Sequence, residues 1–134
     1  MKYIKKFEHN IDDLKKLLSH FNSFFEEIGY DHKGYIDRGS WMSEYHKDGE
    51  YMFGLTVNQY NNLIFQESLA NADDEEVNYI AKYLKTINGL KVQNEADGAF
   101  IKIVFNVFGN VYDIIDQITM DDFLFKHKTI KYNL

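Results

Sequence analysis

The sequence predicts a single α+β domain, an antiparallel sheet of about four to six strands packed by about three helices. Three observations carry that expectation. Near the N-terminus, Ile11, Leu14, Leu17, Leu18, Phe21, Phe24, Phe25 and Ile28 recur at three- and four-residue spacing, which marks one buried helical face. Through the middle of the chain, apolar and polar residues alternate, as they do in half-buried strands. Between these runs stand Asp48-Gly49, Asn61-Asn62 and Asp97-Gly98, turn signals of the kind that join antiparallel neighbours.

The elements follow in order. Asn10 is a good N-cap for the first helix, with Asp13 three residues on in a spacing close to the capping box. Gly29 supplies the left-handed residue that ends it. Residues 35–46 read as a strand region broken by Gly39. Residues 50–58 place Tyr51, Phe53, Leu55 and Val57 on one face, and residues 63–69 form another strand, so the three make an antiparallel meander. The second helix begins in the run Asp73, Asp74, Glu75, Glu76, where carboxylates complement the positive end of the helix dipole. Its apolar stripe is Val77, Ile80, Ala81, Leu84 and Ile87, and Gly89 ends it. Residues 90–92 and 99–108 are strands, the second with Ile101, Ile103, Phe105 and Val107 on one face. Asn110 caps a short helix carrying Val111, Ile114, Ile115 and Ile118. In the tail, residues 123–132, Phe123, Phe125, His127 and Thr129 alternate with Leu124, Lys126 and Lys128, which predicts a strand, although residues 119–126 also fit a helix. This element order is loosely similar to that of bacterial secretion chaperones, a likeness that implies a fold and no activity.

Composition bounds the function. The chain has 134 residues, the length of one domain. Its 45% hydrophobic and 16% aromatic content suits a folded core and argues against disorder. It has no Cys, so neither a disulfide nor a thiolate metal site is available. Residues 1–10 lack the apolar segment of a secretory signal. No run approaches the roughly 18 apolar residues of a membrane span, so the expected location is the cytoplasm, with no membrane partner. The net charge is -6, and a single Arg, Arg38, stands beside 14 Lys. Phosphate neutralisation needs clustered Lys and Arg, so nucleic acid is not an expected partner. Lys, Asn, Ile, Tyr and Phe, with AT-rich codons, make up 60 of the 134 residues, which points to a low-GC bacterium or one of its phages.

Little speaks for catalysis. His9, His20, His32, His46 and His127 form no pair at metal-ligand spacing; they are expected to be solvated loop residues, apart from His20, which lies in the first helix on the flank of its apolar stripe, and no metal or cofactor is expected. His32 beside Asp31 and His46 near Glu44 come closest to paired groups. No nucleophile elbow is present, and Ser40 beside Trp41, with His46 near, is the best-placed serine. Gly34 and Gly39 lack the G-K-[ST] ending of a phosphate loop. The chain is therefore expected not to be an enzyme.

The most distinctive stretch, residues 35–45, holds the only Trp and the only Arg. Arg38, Trp41, Glu44 and Tyr45 are the candidate partner-binding residues there, because Trp, Tyr and Arg dominate interface hot spots. The competing expectation makes Trp41 a core anchor and pairs Arg38 with Asp37 or Glu44. Asp73, Asp74, Glu75 and Glu76 are the second candidate surface. With Asp12, Asp13, Glu26, Glu27, Asp113, Asp116, Asp121 and Asp122 they would present a negative field, if they share a face. Helix capping and solubility are the competing explanation. The expected function is that of an acidic binding protein that neutralises a partner protein with a basic surface by occlusion, as immunity proteins, antitoxins and anti-CRISPR-type phage proteins do. The alternatives are a chaperone or adaptor, which would be a homodimer with an exposed apolar patch, and a small-ligand domain with an aromatic-lined pocket in its sheet.

Overall fold

A computed structural model of the chain describes residues 10–98 and 100–131; His9, the rest of residues 1–9 and Tyr132 lie outside them. The elements are α1 (Ile11–Glu27), β1 (Asp31–Asp37), β2 (Ser40–Lys47), β3 (Glu50–Val57), β4 (Asn62–Ser68), α2 (Glu75–Lys85), β5 (Leu90–Asp97), β6 (Phe100–Val107), α3 (Val111–Gln117) and α4 (Met120–Lys131). The strands form one antiparallel sheet in the order β1-β2-β3-β4-β6-β5. The expected α+β domain is therefore the observed one, with six strands and four helices among the described residues.

Turn chemistry sets the first half of the sheet. Asp48 and Gly49 both have positive φ, 54° and 80°, the two-residue hairpin turn expected from Asp-Gly. Arg38 and Gly39 do the same at 52° and 82°. Residues 35–46 are thus not one strand interrupted by a glycine. They are most of a hairpin, and the expected three-stranded meander has four strands. Beyond β4, a 3-10 turn at Leu69–Asn71 and helix α2 carry the chain across the sheet. β5 then forms the edge and β6 inserts between it and β4.

All four helices lie on one face. The Asn10 side chain accepts the Asp13 N–H at 2.9 Å, as its cap role predicts, and α1 buries Leu14, Leu17, Leu18, Phe21, Phe24 and Phe25. Phe25 meets Tyr45 and Phe53 edge-on at 5.0 and 5.2 Å between ring centres, geometry that aromatic quadrupoles favour. Along β2, β3, β4 and β6 buried and half-exposed residues alternate, so the other face of the sheet is not covered by a helix. Among the described residues, no helix is long and apolar enough to cross a membrane.

The tail corrects the sequence reading: it is helix α4, not a strand. Phe123 is fully buried and packs on Phe24 and Tyr83 at 5.2 and 5.1 Å. His127, one helical turn on, is also buried, whereas Phe125 is 71% exposed. Thr119 Oγ1 accepts the Asp122 N–H at 3.2 Å, starting the helix by side-chain capture of a free backbone donor. Burial at i and i+4 beat the alternation because α1 and α2 offer an aromatic groove for one stripe only.

Candidate functional site

The uncovered face carries an ordered pattern. Cross-strand pairing aligns Tyr35, Met42, Thr56, Ile64, Val104 and Asn94 in one row across all six strands. With strands about 4.8 Å apart, the row is about 24 Å long. Tyr35, Met42, Thr56, Ile64 and Val104 are each half-buried rather than covered. A parallel row two residues along reads Lys33, Glu44, Gly54, Gln66, Lys102 and Ala96. An apolar band therefore runs beside a polar one.

A cavity of about 320 Å³ opens where the two rows meet, lined by residues including Tyr35, Met42, Glu44, Tyr51, Gly54 and Phe100. A β-bulge builds part of it. Tyr45 pairs with Phe53 but His46 pairs with Tyr51, so β3 holds one additional residue, Met52, at this point. That residue turns Tyr51 out of the core side onto the open face. There its ring meets His46 edge-on at 5.8 Å, and its hydroxyl donates to the Gln66 carbonyl at 3.3 Å. Burial pushes the Tyr51 hydroxyl up to about 12.

Glu44 is the centre of the cavity's polar chemistry. The Tyr35 hydroxyl donates to its Oε2 at 2.6 Å, and His46 Nε2 lies 3.1 Å from its Oε1. The Tyr35 bond, opposed by partial burial and assisted by His46, holds the carboxyl below the usual glutamate range, since bonds to the charged form favour it. The same bond raises the Tyr35 hydroxyl. The site is thus a fixed anion walled by two tyrosines, Phe100 and Met42.

Of the candidate partner-binding residues, Glu44 alone lines this cavity, although Tyr35, Met42 and Ser43 of the distinctive stretch line it too. Tyr45 is no partner anchor: it is fully buried, on the helix-facing side, with its hydroxyl bonded to Asn22 Oδ1. Trp41 packs against the edge of the core, with Lys15 Nζ 4.2 Å from its ring centre. Arg38 is exposed at the tip of the first hairpin and forms no ion pair with Asp37 or Glu44 among the described residues. Ser40 and His46 stand near opposite ends of β2, too far apart for a nucleophile and its base.

The acidic run divides. Asp74 caps α2 by accepting the Val77 N–H at 3.0 Å. Glu76 turns inward, with Lys47 Nζ 2.8 Å and His127 Nε2 2.6 Å away. Asp73 and Glu75 remain exposed. Burial pushes Glu76 up, but its bonds from Lys47, Tyr30 and His127 outweigh that and hold it below the ordinary range. A second, more polar cavity of about 480 Å³ lies over this cluster, between the end of α1 and α4. His127 was invisible to sequence reasoning as a partner of Glu76, because reading the tail as a strand hid the helical turn that brings it there. The expectation of solvated loop histidines is likewise corrected for His32, which pairs with Glu26, and for His46, which pairs with Glu44. His20 lies on α1 at the flank of the apolar stripe, as expected, half-buried beside Phe24 and with its Nε2 2.8 Å from the Ile118 carbonyl oxygen. Among the described residues no group of three or more His, Asp or Glu could hold a metal ion.

Among the described residues, ten acidic residues sit on the helices, away from the open face. No protein-family model matches the chain, and neither a curated protein nor a solved structure matches it.

Proposed function

We propose that this chain is a non-catalytic binding protein that occludes a partner protein, of the immunity, antitoxin or phage anti-defence type, and that the partner docks on the open face of the sheet. The observation that supports this reading is the cross-strand row of Tyr35, Met42, Thr56, Ile64 and Val104. An antiparallel sheet with one face in water ordinarily places polar residues on that face. Here the solvent side carries an apolar band flanked by Lys33, Gln66 and Lys102, the anatomy of an interface with an apolar centre and a polar rim. The acids on the helical layer keep the free protein soluble and lie behind the docking surface, so the basic character expected of the partner narrows to the groups that meet Glu44.

The test compares wild type with Ile64→Lys, which places a charge at the middle of the row. Each is tagged and used to capture partners from lysate of a low-GC bacterium and of its phage-infected culture, with sedimentation run in parallel. A protein captured by wild type and lost with Ile64→Lys, while both proteins melt alike, supports the reading. Equal capture by both removes the open face as the docking surface. Dimerisation of wild type that Ile64→Lys abolishes would replace the partner with a second copy of the chain, as the chaperone reading requires.

A further inference from the structure

We infer that the cavity over Glu44 receives one basic side chain, a Lys or Arg, from the docking partner. This rests on the reading of the open face as a docking surface. Five observations converge on it. Among the described residues, Glu44 is the one carboxylate that lines the cavity. It accepts bonds on each oxygen from Tyr35 and His46, and an ionised carboxylate has about four acceptor positions, so capacity remains for a further donor. The rings of Tyr35, Tyr51 and Phe100 stand around it, and ring faces attract cations, the more so where water is thinned out. Lys33, opposite Glu44 on β1, is exposed and forms no ion pair with Glu44 among the described residues, which leaves a place for a cation from outside.

The fifth observation is the floor. Gly54 lies within β3, directly opposite Glu44, and its φ is outside the left-handed region. Its backbone conformation is therefore open to any residue. What the absent side chain provides is room for the Tyr51 ring, whose hydroxyl a Cβ would meet at 3.0 Å, so a strand glycine here lets another group approach the backbone closely and brings that ring over the cavity floor. At about 320 Å³ the cavity is at the small end of ligand pockets, the scale of one long side chain rather than a cofactor. An acidic group would face Glu44 as a like charge, and a neutral one would leave the carboxylate without its counter-charge. A guanidinium or ammonium on an aliphatic stem satisfies both the anion and the apolar walls.

The experiment is an NMR titration of the full chain with N-acetyl-arginine methylamide and N-acetyl-lysine methylamide, using N-acetyl-glutamine methylamide as the neutral control. Saturable shifts of the Met42 and Thr56 methyls and the Gly54 amide are expected with the cations, in the millimolar range fitting for one side chain, and not with the control. Glu44→Gln keeps an acceptor for Tyr35 and should weaken cation binding by about tenfold, the loss of one charge-assisted contact. Phe100→Ser, at a position 47% exposed, provides a second variant that leaves the core intact and should weaken it several-fold. Shifts that survive Glu44→Gln, shifts produced equally by the neutral control, or no saturable shift would each overturn the inference. Because the probes need no partner, the two proposals fail separately: a partner lost with Ile64→Lys but indifferent to Glu44→Gln would keep the docking surface and remove the pocket's role.

Discussion

Glu44 on β2 and Gly54 on β3 face each other as a directly opposed pair, and the side chain missing at Gly54 leaves room for the Tyr51 ring beside the carboxylate. A Cβ placed there would come within 3.0 Å of the Tyr51 hydroxyl and 3.4 Å of the Ser43 carbonyl oxygen. The first is the tip of a movable side chain; the second is backbone in a paired strand. The cavity is thus the product of one absent side chain and one bulge, both within β3.

Gly54→Ala should close the floor at small cost. Alanine restricts the unfolded chain more than glycine does, a gain of roughly 0.5–1 kcal/mol. Displacing Tyr51 forfeits its bond to the Gln66 carbonyl, a loss of roughly 0.5–1.5 kcal/mol. The two nearly cancel, so chemical denaturation should find stability within about 1 kcal/mol of wild type, while the Met42 and Thr56 methyls no longer respond to the cationic probes. A loss beyond about 3 kcal/mol would show that the Ser43 carbonyl contact dominates and that Gly54 serves the fold.

Glu67 should make stability fall with rising pH. It is 2% exposed on the helix-facing side of β4, and its Oε2 has no hydrogen-bond partner among the described residues. Burial, with a smaller push from Asp74, raises its carboxyl to about 7 from an ordinary 4.5. Between those two values the folded state holds the proton more tightly than the unfolded state, so stability is greatest below about 4.5 and declines as pH climbs toward 7. Glu67→Gln should flatten that decline and stabilise the protein above neutral pH by about 1–3 kcal/mol. Denaturation midpoints at pH 5, 6, 7 and 8 check this; parallel curves for the two proteins would remove Glu67 as the cause.

Glu76 should work in the opposite direction. Its carboxyl is held below the ordinary range by Lys47, Tyr30 and His127 against the pull of burial. That contribution is fully present above about 4.5 and is lost as pH falls through the lower folded-state value. Glu76→Gln should cost about 1–3 kcal/mol at neutral pH, since Lys47 and His127 lose a charged acceptor, and the cost should shrink on acidification. Hydrogen exchange would locate the damage in α4, which His127 ties to α2 through this carboxylate. Exchange that rises uniformly instead would place the loss in the fold as a whole.

Much of the scaffold is written in local signals, and much of the candidate site is not. Asn10 and Asn110 each cap the helix expected of them, and Asp74 caps the helix that the acidic run was expected to open, because a cap is a contact within three residues. Asp48-Gly49 announces its hairpin for the same reason. Arg38-Gly39 forms an equivalent turn without announcing it, since arginine is not a residue that favours positive φ, and β1 was hidden with it. The cavity depends on register: the Met52 bulge decides that Tyr51 joins Glu44, and register across strands is set by pairing that no single segment records. Tyr45 looked like an interface tyrosine only because alternation shows that a side is buried and not which one.

Phe123 and Phe125 separate the two readings of the tail in one measurement. A strand would place both on the same face, as i and i+2, and removing either would cost alike. Helix α4 puts them on different faces. Phe123 is fully buried among Phe24, Phe25, Tyr79 and Tyr83, whereas Phe125 is 71% exposed. Phe123→Ala should therefore cost about 3–5 kcal/mol, the range for an aromatic removed from a packed core. Phe125→Ala should stay within about 0.5 kcal/mol. The expected result is two denaturation curves that differ in midpoint by several-fold the scatter between repeats. Equal losses would return the tail to a strand and dissolve the Glu76–His127 contact with it, because that contact exists only if residues 123 and 127 lie one helical turn apart.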